Sequence, residues 1–163
     1  MRVYVAVVAG LLLVLGCSKS QPAAGKAALF EQVCSEADGS RVRLTGYLRY
    51  RRSLMSFCST YGGHKTCDLE LYRDATKPPD YDILHPATGP EPVLVKLSVP
   101  VGKQPGEMED LPSKFSEADI KLHLPNDAIA PEGGKVTVDG KVSVIPSASG
   151  PKQCFVTVEW AAP

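Results

Sequence analysis

The stretch RVRLTGYLRY, residues 41 to 50, alternates between apolar and polar side chains. The apolar side holds Val42, Leu44, Leu48 and Tyr50, and the polar side holds Arg41, Arg43, Thr45, Tyr47 and Arg49. A period of two residues is that of a β-strand with one face against a core and the other in solvent. Gly46, inside the run, indicates a bulge or a bend. The stretch therefore predicts a half-buried strand.

Further along the chain, other segments have the pattern of strands. They are TCDLELY at 66 to 72, VLVKLSV at 93 to 99, DIKLHL at 119 to 124 as a short extra strand, KVTVDGKVSVI at 135 to 145, and CFVTVEW at 154 to 160. Asp139-Gly140 could form a hairpin turn. The valines keep an even spacing through this run, however, which favours one long bent strand.

The segment before the first strand has a different period. KAALFEQVCSEA, residues 26 to 37, places its apolar residues at helical spacing, and Asp38-Gly39 is a suitable stop. The sequence therefore predicts a mainly β domain with an N-terminal helix.

The first 17 residues indicate export and anchoring. MRVYVAVVAGLLLVLG has one early positive charge and an apolar run that is short for a membrane span. Val14-Leu15-Gly16-Cys17 then resembles the lipobox of bacterial lipoproteins. In that family the chain is cut just before the cysteine, whose thiol receives a diacylglycerol, and fatty acyl chains such as palmitate hold the protein at a membrane. The resemblance implies a signal peptide over 1–16, a lipidated Cys17 with a flexible tether over 17–25, and a folded domain over 26–163.

The order of the predicted elements also resembles a known fold. One helix, three strands, a long connection and two strands resemble an OB-fold, a five-stranded Greek-key barrel. VRLTGYLRY and GGKVTVDGKVSV carry this resemblance, which covers roughly residues 40 to 160. With the lipobox, the chain is similar to bacterial lipoproteins that have OB-fold (tRNA-anti-like) domains, a family without one assigned function.

Charge and location exclude some partners. Cleavage before Cys17 would remove 16 of the 163 residues and one charge, Arg2, which leaves 17 Lys and Arg against 18 Asp and Glu. A formal charge of −1 is not that of a nucleic-acid binder, so we expect no nucleic-acid partner. In lipoproteins of this type an Asp after the lipidated cysteine retains the protein at the inner membrane. Ser18 stands there, so we expect the outer membrane, facing the periplasm.

Four cysteines remain after Cys17 is assigned to lipid. An even number in an exported chain predicts two disulfides, and four cysteines allow three connectivities. The OB topology that the resemblance implies brings together Cys58 with Cys67 and Cys34 with Cys154. An alternative is a metal site, because Cys58, His64 and Cys67 have part of a zinc spacing. That site would lack a fourth ligand, and an oxidising compartment favours the disulfide.

A basic stripe on the first strand is the candidate ligand surface. It consists of Arg41, Arg43, Tyr47, Arg49 and Arg51, with Arg52 beside it. Such a surface could bind phosphate or an envelope polysaccharide, as OB barrels bind oligosaccharides on one face. In the alternative interpretation the stripe is a solvated face whose arginines pair with acidic side chains from the later connection. The candidate acids are Glu107, Glu109, Asp110, Glu117 and Asp119.

No catalytic motif is present in the sequence: there is no G-x-S-x-G elbow, H-E-x-x-H pair or P-loop. We therefore expect no enzyme activity, no cofactor and no resident metal. The favoured function is a binding or assembly module of the cell envelope whose partner is a protein or a polysaccharide. The alternatives are a metal-binding protein or metalloenzyme that uses Cys58, His64 and Cys67, and a purely structural envelope protein.

Overall fold

The computed structural model describes residues 20–50, 58–75, 93–145 and 153–163. The strands in this part are β1 (Lys26–Ala27), β2 (Arg41–Arg49), β3 (Cys58–Tyr61), β4 (His64–Tyr72), β5 (Leu94–Pro100), β6 (Lys121–His123), β7 (Ile129–Pro131), β8 (Lys135–Ile145) and β9 (Gln153–Ala162). Short 3₁₀ helices span Phe30–Ser35, Glu117–Asp119 and Pro125–Asp127. The predicted signal peptide, the lipidation site Cys17 and the candidate ligand residue Arg51 lie outside the described residues.

Five long strands form a ring of pairings. β2 pairs with β8, β8 with β9, β9 with β5, β5 with β4, and β4 returns to β2. All of these pairings are antiparallel except β5 with β9, which is parallel. The short strand β1 lies parallel to β2, and β3 forms a hairpin with β4. The prediction of a mainly β domain is confirmed.

The hydrophobic core fills the inside of this ring. Alternate residues of each long strand point inward, as the two-residue period requires. The buried side chains of the long strands include Val42, Leu44, Leu48, Leu69, Leu71, Val95, Leu97, Val136, Val138, Val142, Val156 and Val158. The connection between β5 and β8 adds Met108, Ile120, Leu122 and Ala130, so it packs against the same core.

β8 is one continuous strand, as its valine spacing predicts. Its register against β9 shifts between Asp139, which is opposite Trp160, and Gly140, which is opposite Val158. Glu159 of β9 is therefore the extra residue of a β-bulge. A Cβ atom on Gly140 would lie 2.3 Å from the carbonyl oxygen of Thr157, so the glycine allows a close approach of backbones rather than a turn.

The helix predicted over residues 26 to 37 is not confirmed. The segment holds β1 and the 3₁₀ helix Phe30–Ser35 instead. Its backbone pairs with the sheet, because the amide of Ala28 donates to the carbonyl oxygen of Arg43, and this competes with helix formation. Val33 is fully buried whereas Leu29 is 61% exposed, so only part of the apolar pattern faces the core.

Two disulfides brace the ring. Cys34 in the 3₁₀ helix is bonded to Cys154 of β9 with a Cα–Cα distance of 5.4 Å. Cys58 of β3 is bonded to Cys67, directly opposite it on β4, with a Cα–Cα distance of 4.0 Å. These pairings are the ones that the resemblance to an OB topology implied.

Candidate functional site

The predicted basic stripe lies on the outer face of β2 and continues onto β8. Arg41, Arg43, Thr45 and Tyr47 stand directly opposite Lys141, Asp139, Thr137 and Lys135, respectively. We call these eight residues the β2–β8 face. The structure thus brings Arg41, Arg43 and Tyr47 together on one surface, as the alternation predicts.

The arginines of the β2–β8 face are already occupied by carboxylates. Arg41 Nη2 lies 2.6 Å from Glu159 Oε2, and Glu159 Oε1 also lies 3.2 Å from Lys141 Nζ. Arg43 donates to both oxygens of Asp139, with Nε–Oδ1 at 3.0 Å and Nη2–Oδ2 at 2.7 Å. These hydrogen bonds and the charge of Asp139 raise the pKa of Arg43. Charge already paired in this way is less available to an anionic ligand.

Asp139 also fixes the start of the domain. Its side chain is 3% exposed, and its Oδ1 accepts a hydrogen bond of 2.7 Å from the backbone amide of Gly25. A Cβ atom on Gly25 would lie 2.4 Å from the carbonyl carbon of Val42, so glycine is needed where the chain meets β2. Gly25, which the sequence assigned to the flexible tether, is therefore bound to the sheet.

Arg49 does not belong to the β2–β8 face. Its side chain is only 11% exposed, with Nη1 at 3.5 Å from Glu132 Oε2 and Nη2 donating to the carbonyl oxygen of Ala75. Gly133, at φ +82°, passes so close that a Cβ atom there would lie 2.6 Å from Arg49 Nη1. The loop before β8 covers Arg49, which the strand period alone placed in solvent. Arg49 links the connection after β4 to the loop before β8, and it is separated from the other candidate ligand residues.

Three of the acids that we expected to pair with the stripe have other partners. Asp110 binds Lys65, and Glu109 Oε2 lies 3.8 Å from Lys121 Nζ. Asp119 accepts from the backbone amide and the hydroxyl of Ser116, and these hydrogen bonds lower its pKa. Arg41, Arg43 and Arg49 instead lie beside Glu159 of β9, Asp139 of β8 and Glu132 of the loop before β8.

A second polar surface lies on the opposite part of the ring. Thr66, Asp68 and Glu70 of β4 alternate with buried residues, and Lys96 and Ser98 do the same on β5. Asp68 stands opposite Ser98, and Glu70 stands opposite Lys96. We call these five residues the β4–β5 face. The alternation of TCDLELY, residues 66 to 72, contains the signal for this face in its polar positions.

The charges of the β4–β5 face are less fully paired than those of the β2–β8 face. Glu70 accepts a hydrogen bond of 2.6 Å from the hydroxyl of Tyr72. Asp68 and Lys96 make no hydrogen bond and no ion pair with the residues that the structure describes. Partial burial raises the pKa of Asp68, and the positive charge of Lys96, which lowers it, offsets only part of this rise. The face therefore keeps hydrogen-bonding groups available to a ligand.

We expect Asp68→Asn to raise the stability of the domain at neutral pH. A carboxyl group whose folded pKa is raised stabilises the fold below its unfolded pKa, and that contribution is lost as the pH rises through the folded pKa. Removing the charge should therefore raise the melting temperature at pH 7 and leave it unchanged near pH 3. Thermal unfolding at both pH values tests this, with Asp110→Asn, at an exposed carboxylate paired with Lys65, as the control. A lower melting temperature for Asp68→Asn at pH 7 would contradict the interpretation.

The β3–β4 hairpin adjoins the β4–β5 face. Gly62 and Gly63 form its turn with φ of +56° and +81°, a region that suits glycine. Tyr61, just before the turn, is 91% exposed, and the Cys58–Cys67 disulfide closes the other end of the hairpin. The sulfur atoms proposed as metal ligands with His64 are therefore bonded to each other. Within the described ranges, no three His, Cys, Asp or Glu side chains are grouped so that they could hold a metal ion.

Comparison with known proteins gives no family for this chain. No model of a known protein family matches the sequence. No curated protein matches it either. Of the residues described, none belongs to a helix long and apolar enough to cross a membrane.

Proposed function

We propose that this chain is a lipid-anchored cell-envelope protein whose OB-like Greek-key barrel acts as a non-enzymatic binding or assembly module. The strand ring supports the barrel assignment. Among its five long strands, the first pairs with the second and the fourth, and the third pairs parallel with the fifth. This arrangement fits an OB-like topology, and OB-folds bind ligands on the face of their second and third strands.

The observation that carries the binding function is the difference between the two outer faces. The β2–β8 face has its arginines bound by Glu159 and Asp139. The β4–β5 face corresponds to the second and third strands of the ring. Its Asp68 and Lys96 make no hydrogen bond and no ion pair with the residues that the structure describes. The ligand surface is therefore the β4–β5 face, and the ligand is an envelope protein or polysaccharide.

The short tether is consistent with action at a membrane surface. Cys17 is eight residues from Gly25, where the chain is fixed to the sheet through Asp139. Eight extended residues reach at most about 28 Å. A lipid on Cys17 would therefore hold the barrel close to the membrane. Nucleic-acid binding is not part of the proposal, because the processed chain has a formal charge of −1 and its β2–β8 arginines are paired.

A crosslinking experiment with the full-length chain in intact envelopes tests this function. A photoreactive amino acid at Ser98, on the β4–β5 face, should form adducts with an envelope component at least fivefold more efficiently than one at Thr45, on the β2–β8 face. Cys17→Ser should release the chain from the membrane fraction and abolish the Ser98 adducts. Equal labelling from both positions, or a Cys17→Ser chain that stays at the membrane, would refute the proposal.

A further inference from the structure

The segment that carries Cys17 joins the barrel at the β2–β8 face. The backbone amide of Gly25 donates to Oδ1 of Asp139, the same oxygen that accepts from Nε of Arg43. Arg43 and Asp139 both belong to the β2–β8 face, where they stand opposite each other. A Cβ atom on Gly25 would lie 2.9 Å from the backbone nitrogen of Arg43, so the chain lies directly against β2 at this point. The tether therefore leaves the barrel from this face.

The tether is too short for the barrel to turn its other side toward the membrane. Eight residues lead from Cys17 to Gly25, and when extended they reach at most about 28 Å. A domain of this size has a radius of gyration of about 14 Å, so a path around its surface to the opposite face is about 45 Å or longer. A lipid on Cys17 therefore keeps the β2–β8 face nearer to the membrane than the β4–β5 face.

The β2–β8 face also has the sign of charge that an anionic membrane attracts. Its cations are Arg41, Arg43, Lys135 and Lys141, and the carboxylates beside them are Asp139 and Glu159. Four cations against two carboxylates leave a formal charge of +2. Glu159 is shared between Arg41 and Lys141, and the side chain of Lys141 is still 55% exposed. Lys135, at the other end of the face, is exposed as well.

The β4–β5 face has the opposite sign of charge. Asp68 and Glu70 accompany a single cation, Lys96, so the formal charge of this face is −1. The processed chain as a whole also has a formal charge of −1, so the positive charge is concentrated on the face from which the tether leaves. Anionic headgroups attract basic residues that come within a Debye length, which is about 8 Å at physiological ionic strength. They would attract the β2–β8 face and repel the β4–β5 face.

We propose that the β2–β8 face lies against the anionic leaflet that holds the lipid of Cys17, with Lys135 and Lys141 at its phosphate groups. This inference rests on the lipid anchor of the proposed function and adds an anionic lipid surface as a partner. The occupant is the membrane rather than another protein, because the tether keeps the membrane within about 28 Å of this face at all times. The β4–β5 face then points away from the membrane, where its protein or polysaccharide ligand has access to it.

The test uses the lipidated full-length chain, purified and placed in vesicles of defined composition. A benzophenone amino acid at Thr45, on the β2–β8 face, should form at least fivefold more lipid adducts in phosphatidylethanolamine vesicles that contain phosphatidylglycerol than in vesicles of phosphatidylcholine alone. The same probe at Ser98 should form few lipid adducts in either. The lipid anchor is present in both vesicles, so the difference in yield measures the orientation of the barrel.

Charge variants identify the side chains that make the contact. Lys135→Gln with Lys141→Gln should lower the Thr45 lipid adducts in the anionic vesicles at least threefold, whereas Lys135→Arg with Lys141→Arg should leave their yield unchanged. Lys96→Gln removes a lysine from the β4–β5 face and is the matched control, which should also leave the yield unchanged. All three lysines are exposed, so these variants keep the core intact.

Several outcomes would overturn the inference. They are equal Thr45 adducts in the two kinds of vesicle, Ser98 lipid adducts as frequent as those from Thr45, and a yield that the paired glutamine variant does not lower or that Lys96→Gln lowers equally. These vesicles hold no protein or glycan ligand, and lipid adducts are counted apart from the protein and glycan adducts that test the binding function in envelopes. Failure in vesicles with Ser98 adducts in envelopes would reject the membrane contact alone, whereas a mature chain without lipid on Cys17 would reject both proposals.

Discussion

Removal of the Cys34–Cys154 disulfide is expected to lower the free energy of unfolding by about 4 to 5 kcal/mol. The bridge links residues 120 positions apart, and in the chain-entropy model a loop of this size contributes about 4.9 kcal/mol. It also joins the 3₁₀ helix that carries the fully buried Val33 to β9, the strand that pairs with both β5 and β8. The double variant Cys34→Ala and Cys154→Ala tests this by urea denaturation without reductant.

The short bridge provides the control for this prediction. Cys58 and Cys67 are nine positions apart, and the same model gives about 2.7 kcal/mol for their loop. The double variant Cys58→Ala and Cys67→Ala should therefore lower the free energy of unfolding by less than removal of the long bridge does. Any packing lost at the buried Cys67 adds to this smaller effect. Removal of the long bridge should also increase the m-value, because the unfolded chain can then expand and expose more surface. A loss below about 2 kcal/mol for the long bridge would show that it does not restrict the unfolded chain as proposed.

The strands could be predicted from the sequence because burial in this fold follows the two-residue period. Val136, Val138 and Val142 all face the core, so their spacing gave β8 as one strand without knowledge of its neighbours. The helix predicted for the N-terminal segment was not confirmed, because the structure of this segment does not follow its local spacing. Its apolar spacing fits a helix, but Ala28 pairs with Arg43 on a strand distant in sequence, and local periodicity contains no information about that contact.

The candidate site was predicted less well, because charge pairing depends on contacts across strands. Arg43 and Asp139 are 96 positions apart, and no spacing rule connects them. Arg49 occupies a polar position of the strand alternation, but the loop around Gly133 covers it. Burial by a loop cannot be predicted from the alternation within the strand. The β4–β5 face was predictable, because the alternation that places Leu69 and Leu71 in the core also places Asp68 and Glu70 on the outer surface.

Replacement of Gly46 by valine is expected to cost about 3 kcal/mol or more. The sequence suggested a bulge or a bend at this glycine, but β2 passes through it without a register shift, with Gly46 opposite Val136. A Cβ atom there would lie 2.4 Å from the carbonyl oxygen of Tyr72 and 2.8 Å from Cζ of Phe30. Overpacking of this kind typically costs about 1 to 3 kcal/mol, and the backbone oxygen has little freedom to move. The space is needed because β2 meets β8, β4 and the N-terminal segment at this position.

A neighbouring substitution separates this effect from a general sensitivity of β2. Thr45 is exposed on the outer face and touches Thr137 through its hydroxyl, with an oxygen–oxygen distance of 2.9 Å. Thr45→Val introduces the same side chain one residue earlier in the strand and should change stability by no more than about 0.5 kcal/mol. Urea denaturation of both variants measures this difference in stability. If Gly46→Val unfolds at the same urea concentration as Thr45→Val, then β4 and the N-terminal segment do not approach β2 as closely as the strand ring requires.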